Sequence, residues 1–565
     1  MRRGPARRRR GARVRRALPV WLVVGVLWAL AGCDGSAPGP TPPTGASGSS
    51  GASGSTTAGA LDPSKPPAPY REGRLRILAS SELADVEPLL RQAEKSTGVA
   101  VDLTWAGTRE IVEQVASGKA DRGFDAVWPA SDAELRLRPE AAGRLSSATP
   151  VMSSPVAIGG RPAALARLGW KPQEVTWSAV YDAVAAGKLG YGMTDPVRSN
   201  SGFSALVAVA SALSGAQSAL TEADVAKAGP RLRTFFSGQK LTSGSSGWLA
   251  TAYARRGDVD ALVNYESVLL SLNRDAGTDL TVIRPRDGVI TASYPLTLLT
   301  AAPAGARESG RRLTEWLRST EGQRLIAERT LRRPVVAGVA SKTDPSPRRE
   351  LPFPGGRAVA DRLLAGYENE LRRPSRTVYV LDTSGSMAAD GRIDRLRSAL
   401  TELTGTGSAG PGERFRDREE VTLMPFGSGV KEVRRHVVEP GAGAGGSLDA
   451  IRADVARLSP SGGTAVYTSL RAAYEELGRD GGKDAFTSVV LMTDGESGDE
   501  ARIFEEFHAA LPAERRHTPV FAVLFGDGDR AELTRITELT GGRLFDATAG
   551  EGSLAGAFEE IRGYQ

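Results

Sequence analysis

One cysteine in 565 residues, Cys33, rules out an intramolecular disulfide. Three histidines, His436, His508 and His517, leave little for zinc or imidazole chemistry. None stands in a His-Glu-x-x-His pattern, and His508 falls on a stretch that reads as a polar helix. No Gly-x-Ser-x-Gly elbow, Walker loop or kinase set stands where a strand-to-helix turn would support it. Catalysis is therefore not expected of this chain. The positive charge is also not what it seems. Nine arginines and no acidic residue precede Cys33, so the formal charge falls from +6 to −3 without residues 1–32. The basic balance gives no support for nucleic-acid binding, and none is expected. What is abundant is glycine and proline, 66 and 34 residues, which at this length points to several domains joined by linkers.

The lone cysteine has a context. An Arg-rich start precedes an apolar stretch, residues 17–30, and then Leu30-Ala31-Gly32-Cys33. That is the order of a secretory signal. Leu-Ala-Gly-Cys at this point resembles the lipobox of bacterial lipoproteins. The resemblance implies cleavage before Cys33 and lipid attachment to its sulfur, with residues 1–32 a signal peptide. An uncleaved membrane anchor is the alternative, but the apolar stretch is shorter than the ~20 residues a spanning helix needs. The expected product is exported and lipid-anchored at the extracellular face of the cell membrane, meeting the membrane only through its lipid. No full twin-arginine motif distinguishes the export routes. Residues 33–72 read as a disordered tether. Their 34–69 portion is almost all Gly, Ser, Ala, Thr and Pro, and as a flexible coil its ends lie roughly 30–36 Å apart.

Residues 73–340 alternate strand and helix patterns. Leu75-Arg76-Ile77-Leu78-Ala79 ends in Ser80-Ser81, and a helical face of Val86, Leu89, Leu90 and Ala93 stops at Gly98. Pro155-Val156-Ala157-Ile158 reads as a strand crossing to a second lobe. The polar turn from Asp195 through Ser199, Ser201 and Gly202 runs into an apolar helix whose start suits an anion or polar ligand. The order of elements is similar to the extracellular solute-binding proteins of bacterial ABC importers. Besides Ser80-Ser81 and this turn, its marks are Trp177-Ser178 with Gly187-Lys188-Leu189, and Asn264-Tyr265-Glu266 after Val259-Asp260-Ala261-Leu262-Val263. The resemblance implies two α/β lobes closing on a small-molecule ligand, with Ser80, Ser81, Ser199, Ser201, Glu266 and Tyr294 facing the cleft. Residues 341–375, with five prolines and one helical stretch, read as a linker.

The last domain, 376–565, opens on Val378-Tyr379-Val380-Leu381, a continuous apolar run fit for a strand buried on both faces. It ends in Asp382-Thr383-Ser384-Gly385-Ser386. One carboxylate and two hydroxyls form a hard-oxygen set suited to Mg²⁺ or Mn²⁺. Alone, the same pattern is also an ordinary turn and helix cap. Ser461-Gly462-Gly463-Thr464 then puts a hydroxyl on a glycine loop at a helix start, and Val489-Val490-Leu491-Met492-Thr493-Asp494-Gly495 repeats the buried strand followed by a carboxylate. The constellation resembles the von Willebrand factor type A domain and its metal-ion-dependent adhesion site. The resemblance implies a doubly wound, Rossmann-like sheet with Mg²⁺ (or Mn²⁺ or Ca²⁺) at its carboxyl edge, held by Asp382, Ser384, Ser386, Thr464 and Asp494. One position left open on the cation would take an acidic residue of a protein partner.

The expected architecture is thus α/β throughout, a two-lobed binding-protein-like domain followed by a doubly wound domain. The expected function is metal-dependent binding of a protein partner at the cell surface. A receptor for an ABC importer, or a scaffold whose cleft binds nothing, are the alternatives.

Overall fold

The computed structural model describes residues 71–341, 343, 349–406, 414–441, 446–479, 485–524, 526, 528–548 and 551–564. Cys33, the stretch read as a signal peptide and all but residues 71 and 72 of the stretch read as a tether lie outside the described residues.

Alternating strands and helices build two sheets before residue 300. In the first, the parallel strands Ala100–Ala106, Arg74–Ser80 and Ala126–Trp128 lie side by side. Pro295–Leu299 and Leu145–Pro150 follow, with Pro295–Leu299 antiparallel to both neighbours. In the second, Ser154–Gly160 pairs with Ala261–Tyr265, which adjoins Tyr191–Met193, and Gln239–Leu241 follows beside Tyr191–Met193. The chain crosses between the sheets after Pro150 and returns after Ala292, so each sheet centres one lobe. The return passes through Tyr294, which holds φ at +41°, a conformation bulky side chains avoid. Its backbone is fixed from both sides. Its N–H donates to the Ala130 carbonyl at 2.9 Å, and its own carbonyl accepts Trp128 Nε1 at 3.1 Å.

The stretch read as a linker is built into the second lobe. Helix Arg357–Gly366 ends in a wider turn, Tyr367–Leu371, and Leu363, Leu364 and Tyr367 are buried in the lobe's core. The Tyr367 hydroxyl donates to Gln239 Oε1 at 3.0 Å, and its ring stands edge-on to Phe236. Upstream, the Phe353 carbonyl accepts the Leu220 N–H at 2.9 Å.

The C-terminal domain is one six-stranded sheet in the order Arg434–Val437, Glu420–Phe426, Ser375–Asp382, Phe486–Thr493, Val520–Leu524, Arg543–Asp546. Only the edge strand Arg434–Val437 runs antiparallel, forming a hairpin with Glu420–Phe426. Successive side chains of a strand point to opposite faces, and both faces are apolar here. Tyr379 and Leu381 join a cluster under the helices Arg392–Glu402 and Glu551–Arg562. Val378 and Val380 join another with Leu470, Phe504 and Leu533 of the opposite helix layer. Burying Val378, Val380 and Leu381 contributes ~1.5–3 kcal/mol each. This explains why the strand reads as a continuous apolar run. His508 is 4 % exposed and packs against Tyr474 and Phe504, so its helix is amphipathic rather than polar.

Candidate metal site and ligand cleft

Strand Ser375–Asp382 has Glu420–Phe426 on one side and Phe486–Thr493 on the other. Connections therefore leave its carboxyl end toward opposite faces, which opens a crevice there. Asp382, fully buried, stands at its lip. One carboxylate oxygen accepts the Ser384 backbone N–H at 2.8 Å and the other accepts the Thr493 hydroxyl at 2.6 Å. The Ser384 and Ser386 hydroxyls share a hydrogen bond at 2.9 Å, and Ser386 Oγ donates to Asp494 Oδ1 at 2.9 Å. The glycine loop is clipped on by Gly385 N–H to the Gly462 carbonyl at 2.9 Å and Ser461 N–H to the Thr383 carbonyl at 2.7 Å. A Cβ placed on Gly495 would lie 3.9 Å from Ser386 Oγ and 4.0 Å from Thr464 Oγ1, so the three loops meet at one point.

The donor spacing fits a small hard cation. Neighbouring oxygens on an octahedron with ~2.0–2.1 Å metal bonds lie about 2.9 Å apart. The Ser384–Ser386 and Ser386–Asp494 separations are both 2.9 Å. Among the described residues no three His, Cys, Asp or Glu side chains gather into a metal-holding group.

Two cations flank the two carboxylates. Arg392, first residue of its helix, donates from Nη1 to Asp494 Oδ2 at 2.7 Å, leaving Oδ1 toward the serines. Lys431 Nζ donates to the Thr383 carbonyl at 2.8 Å and to Ser461 Oγ at 2.9 Å, tying the first loop to the glycine loop. Burial pushes the Asp382 carboxyl above its ordinary range, with Asp494 adding to the rise against hydrogen bonds from Thr493 and Ser384. Burial lowers the Lys431 ammonium, opposed by Asp382. Neither Arg392 nor Lys431 is marked by any sequence motif. Each reaches the site from a neighbouring element.

The second candidate is a small open cleft between the lobes. Ser80, Ser81, Glu82 and Thr108 line it from one side, and Arg198, Ser199, Asn200, Ser245 and Ser246 from the other. Three helices begin at it, Thr108–Ala116, Asn200–Ser214 and Ser246–Arg255. First-turn N–H groups carry partial positive charge and lack intrahelical partners. The first two helices have no side-chain cap, whereas Ser245 caps the third at Trp248 N–H. The lobes touch across the cleft, with Arg109 Nη1 donating to the Val197 carbonyl at 3.1 Å. Burial pushes the Glu82 carboxyl up to about 7, against Arg332 and a hydrogen bond from Ser80.

Of the residues expected at the cleft, Ser80, Ser81 and Ser199 line it. Ser201 stands just behind, sharing hydrogen bonds with Ser199 at 3.0 Å, and with Thr194 and Ser246 at 2.8 Å each. Glu266 does not reach the lining. It is 1 % exposed and paired with Arg284 and with Arg333, the latter at 2.6 Å. Tyr294 is buried at the lobe crossing, its ring beneath the Arg332 guanidinium, 4.8 Å from centroid to carbon. A buried carboxylate requires a cationic partner, and two arginines supply it to Glu266. The residue before Glu266 supports the cleft instead, since Asn200 Nδ2 donates to Tyr265 Oη at 2.6 Å. Glu82, Thr108, Arg198 and Ser245 escaped the sequence reading. Glu82, next to Ser80-Ser81, and Arg198, inside the polar turn that begins at Asp195, carried a signal; Thr108 and Ser245 carried none.

Two α/β modules, one with an interlobe cleft and one with a hydroxyl-rich loop set at a sheet edge, define the class. Residues 75–329 match the family model of the bacterial extracellular solute-binding protein, and residues 375–545 match that of the von Willebrand factor type A domain. The chain therefore carries a solute-binding-protein domain followed by a von Willebrand factor type A domain. Among solved structures it is similar to the periplasmic binding protein AfuA from Actinobacillus pleuropneumoniae, with exogenous fructose-6-phosphate bound. The identity is 16%, covering 53% of this chain and 98% of that one, with a TM-score of 0.42. It is also similar to von Willebrand factor type A from Catenulispora acidiphila, at 19% identity, 34% and 42% coverage and a TM-score of 0.27. A curated relative is calcium-activated chloride channel regulator 1 of Bos taurus, 24% identical over 199 residues, which are 34% of this chain. The chain spans about a fifth of the length of the curated relatives it matches, 19% and 18%.

Proposed function

We propose that this chain is an exported, membrane-anchored binding protein without catalytic activity. Its von Willebrand factor type A domain grips an acidic side chain of a protein partner, and its cleft holds a small anionic solute. The 2.9 Å oxygen spacing of Ser384, Ser386 and Asp494 carries the first part. Ser384, Ser386 and Thr464 would offer hydroxyl oxygens to Mg²⁺, with Asp382 and Asp494 contributing carboxylates directly or through water. A bound cation would supply a positive point with room for one anionic ligand. Lys431 and Arg392 offset the charges of Asp382 and Asp494, so a divalent ion there keeps its net charge and favours a carboxylate over a neutral group.

Titration calorimetry of Mg²⁺ into the full chain should report one site, lost in Asp382→Ala, with capture of the partner lost in the same variant and in chelator. Uptake that survives Asp382→Ala would place the ion elsewhere and sink this reading.

Membrane attachment rests on Cys33 and the residues before it. Replacing Cys33 with Ala should move the protein from the membrane fraction to the soluble fraction, and unchanged sedimentation would argue for a different anchor. Among the described residues no helix is long and apolar enough to cross a membrane.

For the cleft, three helix starts, five serines and Arg198 converge on one space, which favours an oxygen-rich anion. The same observation supports the alternative of a receptor for an ABC importer over an empty scaffold.

A further inference from the structure

We propose that the C-terminal domain is a working part of the ligand cleft: Arg416 and the end of the closing helix hold the second lobe's wall in its binding position. This rests on the reading that the cleft takes a small anion.

The contact is made at the opposite edge of the sheet from the metal loops. Arg416, just before strand Glu420–Phe426, is 3 % exposed and donates from Nη2 to Asp195 Oδ2 at 3.0 Å, itself 2 % exposed. Its Nε reaches Glu368 of the connector at 3.3 Å, and Nη1 donates to the Arg562 carbonyl at 3.1 Å. Asp195 shapes the cleft turn. Its other carboxylate oxygen accepts the Val197 N–H at 2.8 Å, and its carbonyl accepts the N–H groups of Ser199 at 2.8 Å and Arg198 at 3.2 Å. Arg198 and Ser199 line the cleft, and the Val197 carbonyl takes the Arg109 bond from the other lobe. One guanidinium of the C-terminal domain thus fixes the carboxylate on which this part of the wall is folded.

A second contact supports the wall's other turn. Gly563 abuts Gly244, a cleft residue, so closely that a Cβ on Gly563 would stand 2.7 Å from Gly244 Cα and 3.1 Å from Arg198 Cδ. Beside it, Trp248 of helix Ser246–Arg255 packs on Tyr564 with ring centroids 4.3 Å apart, and Tyr564 stacks on Phe521 at 5.0 Å. The first-turn N–H groups that would hold an anion are therefore positioned from outside their own domain. Asp195, Gly244 and Trp248 all belong to the second lobe, so this lobe and the C-terminal domain form one body.

The test uses the full chain with inorganic phosphate as probe. Gly563→Ala presses on Gly244 without adding or removing charge. Arg416→Lys keeps the charge but cannot reach Asp195, Glu368 and the Arg562 carbonyl at once. Ile503→Ala, packed against the far face of the sheet, serves as a destabilised control of intact interface. Both interface variants should bind phosphate about tenfold or more weakly, a loss of some 1.4 kcal/mol or more, while Ile503→Ala binds as the parent does. Equal affinity in all four proteins would overturn the proposal. If the parent does not bind phosphate, the anion reading falls, and hydrogen exchange then decides the positioning claim alone. Amides of residues 197–202 and 245–248 should exchange faster in Gly563→Ala and Arg416→Lys than in Ile503→Ala, and unchanged exchange there would overturn it.

Discussion

Replacing Arg562 with Ala is expected to cost about 3–5 kcal/mol of stability, the usual penalty for stranding the partner of a buried ion pair. Arg562 is wholly buried near the end of the closing helix. Its guanidinium pairs with Glu419, with Nη2 to Oε2 at 2.7 Å, donates to the Arg414 carbonyl at 2.8 Å and lies over the Phe415 ring. Burial pushes the Glu419 carboxyl up, but the charge and hydrogen bonds of Arg562 outweigh it and leave that carboxyl below its ordinary range. Without the guanidinium, Glu419 keeps a buried charge with Arg416 and Arg372 as nearby cations, and Arg416 is already committed to Asp195 and Glu368. The loss should appear as a lower urea midpoint. The double variant Arg562→Met with Glu419→Leu should recover much of it, because removing both charges also removes their desolvation cost. A single variant within ~1 kcal/mol of the parent would mean that water reaches the pair and that the interior there is not dry.

The same region shows where sequence reading stops. Val378, Val380 and Leu381 announce their strand because burial on both faces leaves no alternation to hide it. Asp382, Thr464 and Asp494 stand out only as a set, because each alone also fits an ordinary turn or helix cap. The lobes and the doubly wound sheet were legible by the same logic of local pattern. Contacts across the chain were not. Arg392 and Lys431 are ordinary surface residue types until the fold carries them to Asp494 and Thr383. Asp195 reads as part of an anion-binding turn, but its carboxylate turns away from the cleft toward Arg416, 221 positions later. Glu266 follows a buried strand as Asp382 does, and local pattern cannot separate them. Two arginines meet Glu266, whereas a backbone N–H and the Thr493 hydroxyl meet Asp382. The connector's Leu363, Leu364 and Tyr367 advertise an apolar helical face, but nothing local tells which lobe it covers.

The metal site itself should depend on a residue that offers it no atom. Gly526, just beyond strand Val520–Leu524, lies against the back of Asp494. A Cβ at Gly526 would stand 2.6 Å from Asp494 Cβ, 2.6 Å from its carbonyl oxygen and 3.0 Å from its Cα. Real Cβ atoms do not approach that closely, and two of the three obstacles are backbone, so Asp494 must shift in Gly526→Ala. The shift is resisted elsewhere, because Arg392 holds Asp494 Oδ2 and strand Phe486–Thr493 is paired on both sides. What gives is the Asp494 Oδ1–Ser386 Oγ spacing, the octahedral edge on which the cation reading rests. Mg²⁺ tolerates little departure from octahedral geometry, and disturbing the support of a ligand typically costs 10–100-fold in metal affinity. Gly526→Ala should therefore weaken Mg²⁺ uptake by about 10–100-fold in calorimetry while far-ultraviolet circular dichroism stays that of the parent. Ca²⁺, which accepts longer bonds and irregular coordination, should lose less. Equal losses for both ions would assign the effect to general loosening of the loop, and no loss for either would remove Asp494 from the ligand set.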